Sequence, residues 1–321
     1  MHVFAQVSSA VRVQVSAGSD HSCLVTSNGN AHCWGAGTFN QLGNGATSNI
    51  GDGVGGAVNS LSPLPTTGGQ AVLSVVAGET HSCALLASGG LQCWGDGSSG
   101  KLGYGSTGAV TTASAGGLVP SLGGAAFRSV AAAPDYTCGV LATGALQCWG
   151  SGANGRTGQG STLDLGSGPG NSAADGIPVP LLGGVRAMQV ATGQAHACAL
   201  LDNGQVQCWG SGLHGATGYG QTAVDYGSSS AASDGGAVAT LGGVAATGLA
   251  CGDAFTCLLL QGGVVQCFGR GADGRTGHGT SADNGDSPGT PATQHGAVPT
   301  VGGETAIAIS AGQAHACVLL S

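Results

Sequence analysis

Six copies of one motif, led by cysteines 55 to 60 positions apart, limit what this chain can fold into. The first copy runs from Val15 to Gly45 and the second begins at Val75. The leading cysteines are Cys23, Cys83, Cys138, Cys198, Cys257 and Cys317, and the sixth copy stops at Ser321. Units of this length cannot bury an apolar face alone; they bury it against their neighbours, so the chain reads as a stack of like elements.

Within a copy the pattern is that of short strands. A β-branched run such as Val72–Val76 ends at Ala-Gly, and a second strand carries His-Ser-Cys-Ala-Leu-Leu. A turn such as Ser27-Asn28-Gly29-Asn30 follows, and a third strand ends in Cys-Trp-Gly. Gly and Asn supply the positive φ of tight hairpins, and nothing has the spacing of an amphipathic helix longer than a turn or two. Glycine supplies 65 of 321 residues, against an ordinary ~7%. Without a period such a chain would read as disordered; the repeat is what argues for folding. The expectation is an all-β chain, a single β-propeller domain over residues 1–321 with six blades of about four strands. The units start near residues 11, 71, 126, 186, 245 and 305. His2-Val3-Phe4-Ala5 lines up with His32-Cys33-Trp34-Gly35. Residues 1–10 are therefore expected to complete the last blade and close the ring by pairing the N- and C-terminal strands.

The residues Ala-Gly-x-x-His-Ser-Cys-x-Leu, Gly-x-x-x-Cys-Trp-Gly and Gln41-Leu42-Gly43-Asn44-Gly45 recur in register over nearly the whole chain. They resemble the regulator-of-chromosome-condensation repeat family in its cysteine-containing form. The resemblance implies a β-propeller and says little about activity, since one architecture hosts unrelated functions.

Ten of the 12 cysteines form pairs ten positions apart: Cys23/Cys33, Cys83/Cys93, Cys138/Cys148, Cys198/Cys208 and Cys257/Cys267. A symmetric hairpin places such residues opposite each other, with Cα atoms ~4.5–5.5 Å apart, within reach of a disulfide. Disulfides are the expectation, and with them an oxidising compartment: extracellular, cell-surface or periplasmic. Free thiols packing as small hydrophobes are one alternative. A metal site from His21, Cys23 and Cys33 is another, but Tyr136 and Phe255 replace the histidine in two copies while both cysteines persist. Cys251 and Cys317 are left over. They pair with each other, stay free or link to another subunit, and the residues leave this open.

His21, His81, His196 and His315 recur at one position. Replacement by Tyr136 and Phe255 keeps bulk and not acid–base chemistry, so these histidines read as buried groups bonding backbone between blades. Trp34, Trp94, Trp149, Trp209 and Phe268 follow the second cysteine and point away from it, which suits filling between blades. The copies differ in the loops after Leu-Gly-x-Gly or Thr-Gly-x-Gly, and variable loops on a rigid scaffold are the usual place for recognition. Asn44, Tyr104, Gln159, Tyr219 and His278 open these loops and form the candidate contact set; solvated turn residues are the plainer reading. Asp52, Asp283 and Asp286 have calcium-type oxygens, but no copy reproduces a full ligand set, so neither a metal nor a cofactor is expected.

Only 7% of residues are charged, Lys101 is the single lysine, and the formal net charge is −8. Phosphate binding needs clustered Lys and Arg, so nucleic acid is not an expected partner, and no apolar run is long enough for membrane insertion as a helix. Nucleophile-elbow, phosphate-loop and zinc-protease motifs are absent, so no catalytic residue is nominated and the chain is not expected to be an enzyme. The leading expectation is an extracellular structural or adhesive module, a filament or surface-layer unit with a protein partner or itself as partner. A soluble protein-binding propeller, such as an enzyme inhibitor, is the alternative. Guanine-nucleotide exchange, which the resemblance brings in through a nuclear relative, fits poorly with paired cysteines and no basic tail.

Overall fold

Each copy of the motif folds into a meander of antiparallel strands. The computed structural model describes residues 13–54, 56–287 and 291–321; the strand expected from residues 1–10 lies outside them. The chain divides into two compact units. The first holds the residues up to Thr143 with Gln147–Ser151 and Asp164–Ile177; the second holds Gly144–Leu146, Gly152–Leu163 and Pro178–Ser321.

In the first unit, β1 (Gln14–Ala17), β2 (His21–Val25) and β3 (Ala31–Gly35) form one sheet, and β4 (Val72–Ala77), β5 (His81–Leu86) and β6 (Leu91–Gly95) the next. β7 (Phe127–Ala132), β8 (Tyr136–Leu141) and β9 (Leu146–Gly150) make the third. In the second unit, β10 (Ala187–Thr192), β11 (His196–Leu201), β12 (Val206–Ser211) and the two-residue β13 (Asp225–Tyr226) form a four-stranded sheet. β14 (Ala246–Cys251), β15 (Phe255–Leu260) and β16 (Val265–Gly269) follow, then β17 (Ala306–Ala311) and β18 (Ala316–Leu320). Each sheet begins within three residues of the expected start.

The hairpins set the register. Thr26 N bonds Asn30 O and Gly29 N bonds Thr26 O around a glycine at φ 80°, a turn that holds Cys23 opposite Cys33. The same register faces Cys83 to Cys93, Cys198 to Cys208 and Cys257 to Cys267. All five pairs, Cys138–Cys148 included, are disulfides with Cα atoms 4.0–4.1 Å apart. Their sulfurs lie in the core, since none of the ten cysteines is more than 3% exposed.

The fourth strand is where sequence and structure part. Apart from β13, it is reduced to single bridges: Gly35 to Ile50, Gly95 to Val110, Gly150 to Leu165 and Gly269 to Asn284. A glycine at positive φ stands at or next to the end of the third strand in all five of these sheets. Gly35 sits at φ +107°, where a Cβ would lie 2.5 Å from Asp20 O. The chain leaves the extended region there, and among the described residues only after Gly210 does the pairing go on, for one more residue, in β13.

The middle strands are covered on both faces: every residue of β5, β8, β11 and β15 is buried. Cys23, Val25, Val75, Leu86 and Trp94 belong to the core of the first two sheets. Phe255, Leu259, Ile309 and Ala311 belong to that of the last two. Trp94, Trp149, Trp209 and Phe268 are fully buried. Burying an indole of roughly 150–250 Å² at ~25 cal/mol per Å² contributes about 4–6 kcal/mol gross.

Candidate interaction surface

The loops that vary between copies are held by a frame that hardly varies. At its centre is a backbone carbonyl that takes side-chain donors from the next sheet, two in the first unit and one in the second. Gln41 O accepts Trp94 Nε1 at 2.9 Å and Ser82 Oγ at 3.0 Å. Lys101 O accepts Trp149 Nε1 at 3.0 Å and Thr137 Oγ1 at 2.9 Å. In the second unit Arg156 O takes Trp209 Nε1, and Ala216 O takes Thr256 Oγ1. The aromatic residues therefore join neighbouring sheets as well as filling the space between them.

The recurring histidines bond the same hydroxyls. His21 Nε2 lies 2.8 Å from Ser82 Oγ, His81 Nε2 3.0 Å from Thr137 Oγ1 and His196 Nε2 2.9 Å from Thr256 Oγ1. This corrects the expectation of backbone partners: a Ser or Thr side chain from the next sheet fills that place. Burial pushes these three imidazoles down to about 4, 3 and 4, so they are neutral and structural at ordinary pH. His315 differs, being exposed on the last sheet.

Lys101 is equally committed. Its ammonium is 2.7 Å from Asp96 Oδ2, 2.9 Å from Thr80 Oγ1 and 3.3 Å from Pro134 O. Burial opposes ionisation of Asp96, but the Lys101 ammonium and the Ser98 hydroxyl and amide outweigh it and hold the carboxyl at about 2. Arg156 Nε and Arg275 Nε each bond a carbonyl three residues back, so these buried cations also serve their own turns.

The variable loops start at the five candidate contact residues, which the structure uses in different ways. Tyr104 Oη accepts Cys93 N at 2.9 Å and bonds Cys93 O at 3.0 Å and Gly117 O at 3.3 Å. Tyr219 Oη makes the matching bonds to Cys208 N, Cys208 O and Gly236 O. Each tyrosine satisfies the outer edge of a third strand that no full fourth strand covers. His278 Nε2 lies 3.3 Å from Gly296 O, and its ring stands edge-on to His295. Gln159 Nε2 bonds Thr157 O, and Asn44 is exposed, its Oδ1 accepting Ala46 N. In the sheet with His278, Asn284 Nδ2 bonds Cys267 O and so meets the strand carbonyl that the tyrosine hydroxyl meets elsewhere.

The far end of four of the five loops is held by a residue that sequence reasoning missed, the glutamine of Gln-Cys-Trp or, in one copy, Gln-Cys-Phe. Gln92 Oε1 accepts Thr67 N while its Nε2 bonds Pro65 O. Gln147 holds Leu122 N and Pro120 O, Gln207 holds Leu182 N and Pro180 O, and Gln266 holds Leu241 N and Ala239 O. The signal was present as a glutamine repeated on a strand where apolar residues are expected. Between the anchors the loops carry exposed apolar side chains, among them Val54, Leu163 and Ile177. Asp283 spends its oxygens on Gly271 N and His214 Nδ1, and Asp52 accepts Val54 N. Cys251 and Cys317 are free thiols, Cys251 buried; the hairpin mate expected for Cys317, Val3, lies outside the described residues.

Two models of the regulator of chromosome condensation (RCC1) repeat match, over residues 13–41, 72–101 and 189–216 and over residues 28–85. The chain is 27% identical over 273 residues to the ultraviolet-B receptor UVR8 of Arabidopsis thaliana, covering 84% of this chain and 56% of that receptor. It thus spans little more than half the length of that relative. Human WBSCR16 superposes with a TM-score of 0.73 at 20% identity, over 97% of this chain and 72% of that one. Yeast RCC1 (Prp20), solved bound to Kap60, does so with a TM-score of 0.72 at 19% identity, over 96% and 68%. Repeat, strand order and superposition agree: the chain carries regulator of chromosome condensation (RCC1) repeats over the matched residues and has the β-propeller fold of these structures.

Proposed function

We propose that this chain is a non-enzymatic β-propeller module of an oxidising compartment outside the cytoplasm, a structural or adhesive unit that meets protein, other copies of itself included, through its anchored loops. The observation that carries the reading is the joining of five core disulfides to loops anchored by side chains of the frame, those opened by Tyr104 and Tyr219 at both ends. Hairpin bridges suit secreted proteins and are rare where thiols are kept reduced. Each removes unfolded-chain freedom worth about 2–3 kcal/mol for a closed loop this short. Loops clipped at entry and exit, with exposed apolar residues between, lose less entropy on docking than free ones. The buried lysine, the neutral histidines and the arginines spent on their own turns support a scaffold role and not a reacting centre.

A second reading, a soluble propeller that binds one protein with its loop face, draws on Prp20, which was solved with Kap60. Non-reducing peptide mapping with light scattering on native material separates the two. Five hairpin bridges with assemblies that grow with concentration support the building unit. Five bridges in a strict monomer favour the soluble binder. Reduced hairpin cysteines overturn the compartment on which both rest.

A further inference from the structure

One buried thiol stands against a disulfide that is not its own. Cys251 ends β14 where the other first strands end in Ala17, Ala77, Ala132, Thr192 and Ala311. That slot faces the neighbouring hairpin of β11 and β12. Cys251 Sγ, Cys198 Sγ and a His196 ring nitrogen all lie within 4.8 Å of one another and are buried. Cys198 is bonded to Cys208.

These three atoms are also the types that would hold a thiophilic cation. Two features oppose that use. Thr256 Oγ1 sits 2.9 Å from His196 Nε2 and 3.7 Å from each of the two sulfurs, filling the point a shared ion would take. One of the sulfurs is already spent in a disulfide.

We propose that Cys198 has two disulfide partners, Cys208 in its own hairpin and Cys251 in the adjacent sheet, which interconvert by intramolecular thiol–disulfide exchange. Cys251 Sγ gives up its proton and attacks Cys198 Sγ. The Cys251–Cys198 bond forms as the Cys198–Cys208 bond breaks, and Cys208 leaves as a thiolate and takes up the proton. One thiol and one disulfide stand on each side, so no outside oxidant or reductant is consumed. The product trades a link inside one sheet for a link between β11 and β14, closing a loop roughly five times longer and restricting the unfolded chain more. Burial lifts the Cys251 thiol to about 12, outweighing its bonds to Thr256 and the Cys198 backbone. The closed structure therefore keeps the thiol protonated and the exchange slow.

The test uses the oxidised full chain, warmed below its unfolding transition, quenched in acid, denatured, alkylated and mapped without reduction. The expected result is a Cys198–Cys251 peptide that grows as Cys198–Cys208 declines. One alkylated Cys208 should appear for each new bridge, with the other four bridges intact. Cys251→Ala, which places in this slot the residue most other sheets have there, should show neither product. The proposal is overturned if Cys251 stays fully alkylatable while Cys198–Cys208 persists. It is equally overturned if Cys251 turns up on all five bridges without preference, which is the scrambling of an unfolded chain.

Discussion

Tyr104→Phe isolates one hydroxyl from the frame while leaving its ring in place. In the native chain Tyr104 Oη is the acceptor for Cys93 N, and Cys93 is fully buried. The edge of β6 has no other strand at that point, because pairing resumes only at the Gly95–Val110 bridge. Removing the oxygen leaves a buried N–H without a partner, which costs about 1–3 kcal/mol. The lost bond is local, so the clearest readout is hydrogen exchange at the Cys93 amide. Its exchange should quicken about 5- to 150-fold if the same free energy is taken from the local opening equilibrium. The Cys208 amide, held by Tyr219 in the other unit, should keep its wild-type rate and serves as the control. Tyr219→Phe should reverse the pattern. An unchanged Cys93 rate would mean that the hydroxyl is not the acceptor.

Two further perturbations probe the frame. The unfolded chain binds protons near pH 6.5, but burial holds folded His21, His81 and His196 at about 4, 3 and 4. Stability should therefore fall as pH drops from about 6.5 towards 4 and be flat in this respect above 7. Urea midpoints at pH 7.5 and 4.5 check this, and His81→Phe, which copies the aromatic ring of Phe255 into that slot, should flatten the slope; equal midpoints in the wild type would refute the assignment. Replacing Cys83 and Cys93 together by alanine should cost about 2–3 kcal/mol through the freed unfolded chain, read by urea unfolding. A loss under about 0.5 kcal/mol would contradict that account.

The strand order, the hairpins and the facing of the cysteines were legible in the residues because each depends on neighbours along the chain. A ten-position spacing about a Gly-containing turn puts Cys23 across from Cys33 whatever lies outside the hairpin. The inward placement of Trp94 and Trp149 follows from strand alternation. The shortened fourth strand is less legible: a glycine at positive φ stands at or next to the end of the third strand both where β13 forms and where a single bridge stands in its place. The anchoring roles of the tyrosines and glutamines are not legible in the sequence, since both are defined by what they touch. Tyr104 reaches Cys93, 11 positions away, and Gln92 reaches Pro65, 27 positions away.

The sequence by itself determined the repeat, the all-β class, the hairpin register and the low, acid-leaning charge. Periodicity and local turn chemistry carry that information without any long-range contact. Only the tertiary structure decided which hydroxyl each histidine meets, which carbonyl joins one sheet to the next, and that Cys251 lies beside the bridge of another hairpin. His196 and Thr256 are 60 positions apart. Such a meeting depends on how neighbouring sheets pack, and no pattern within a single copy specifies it.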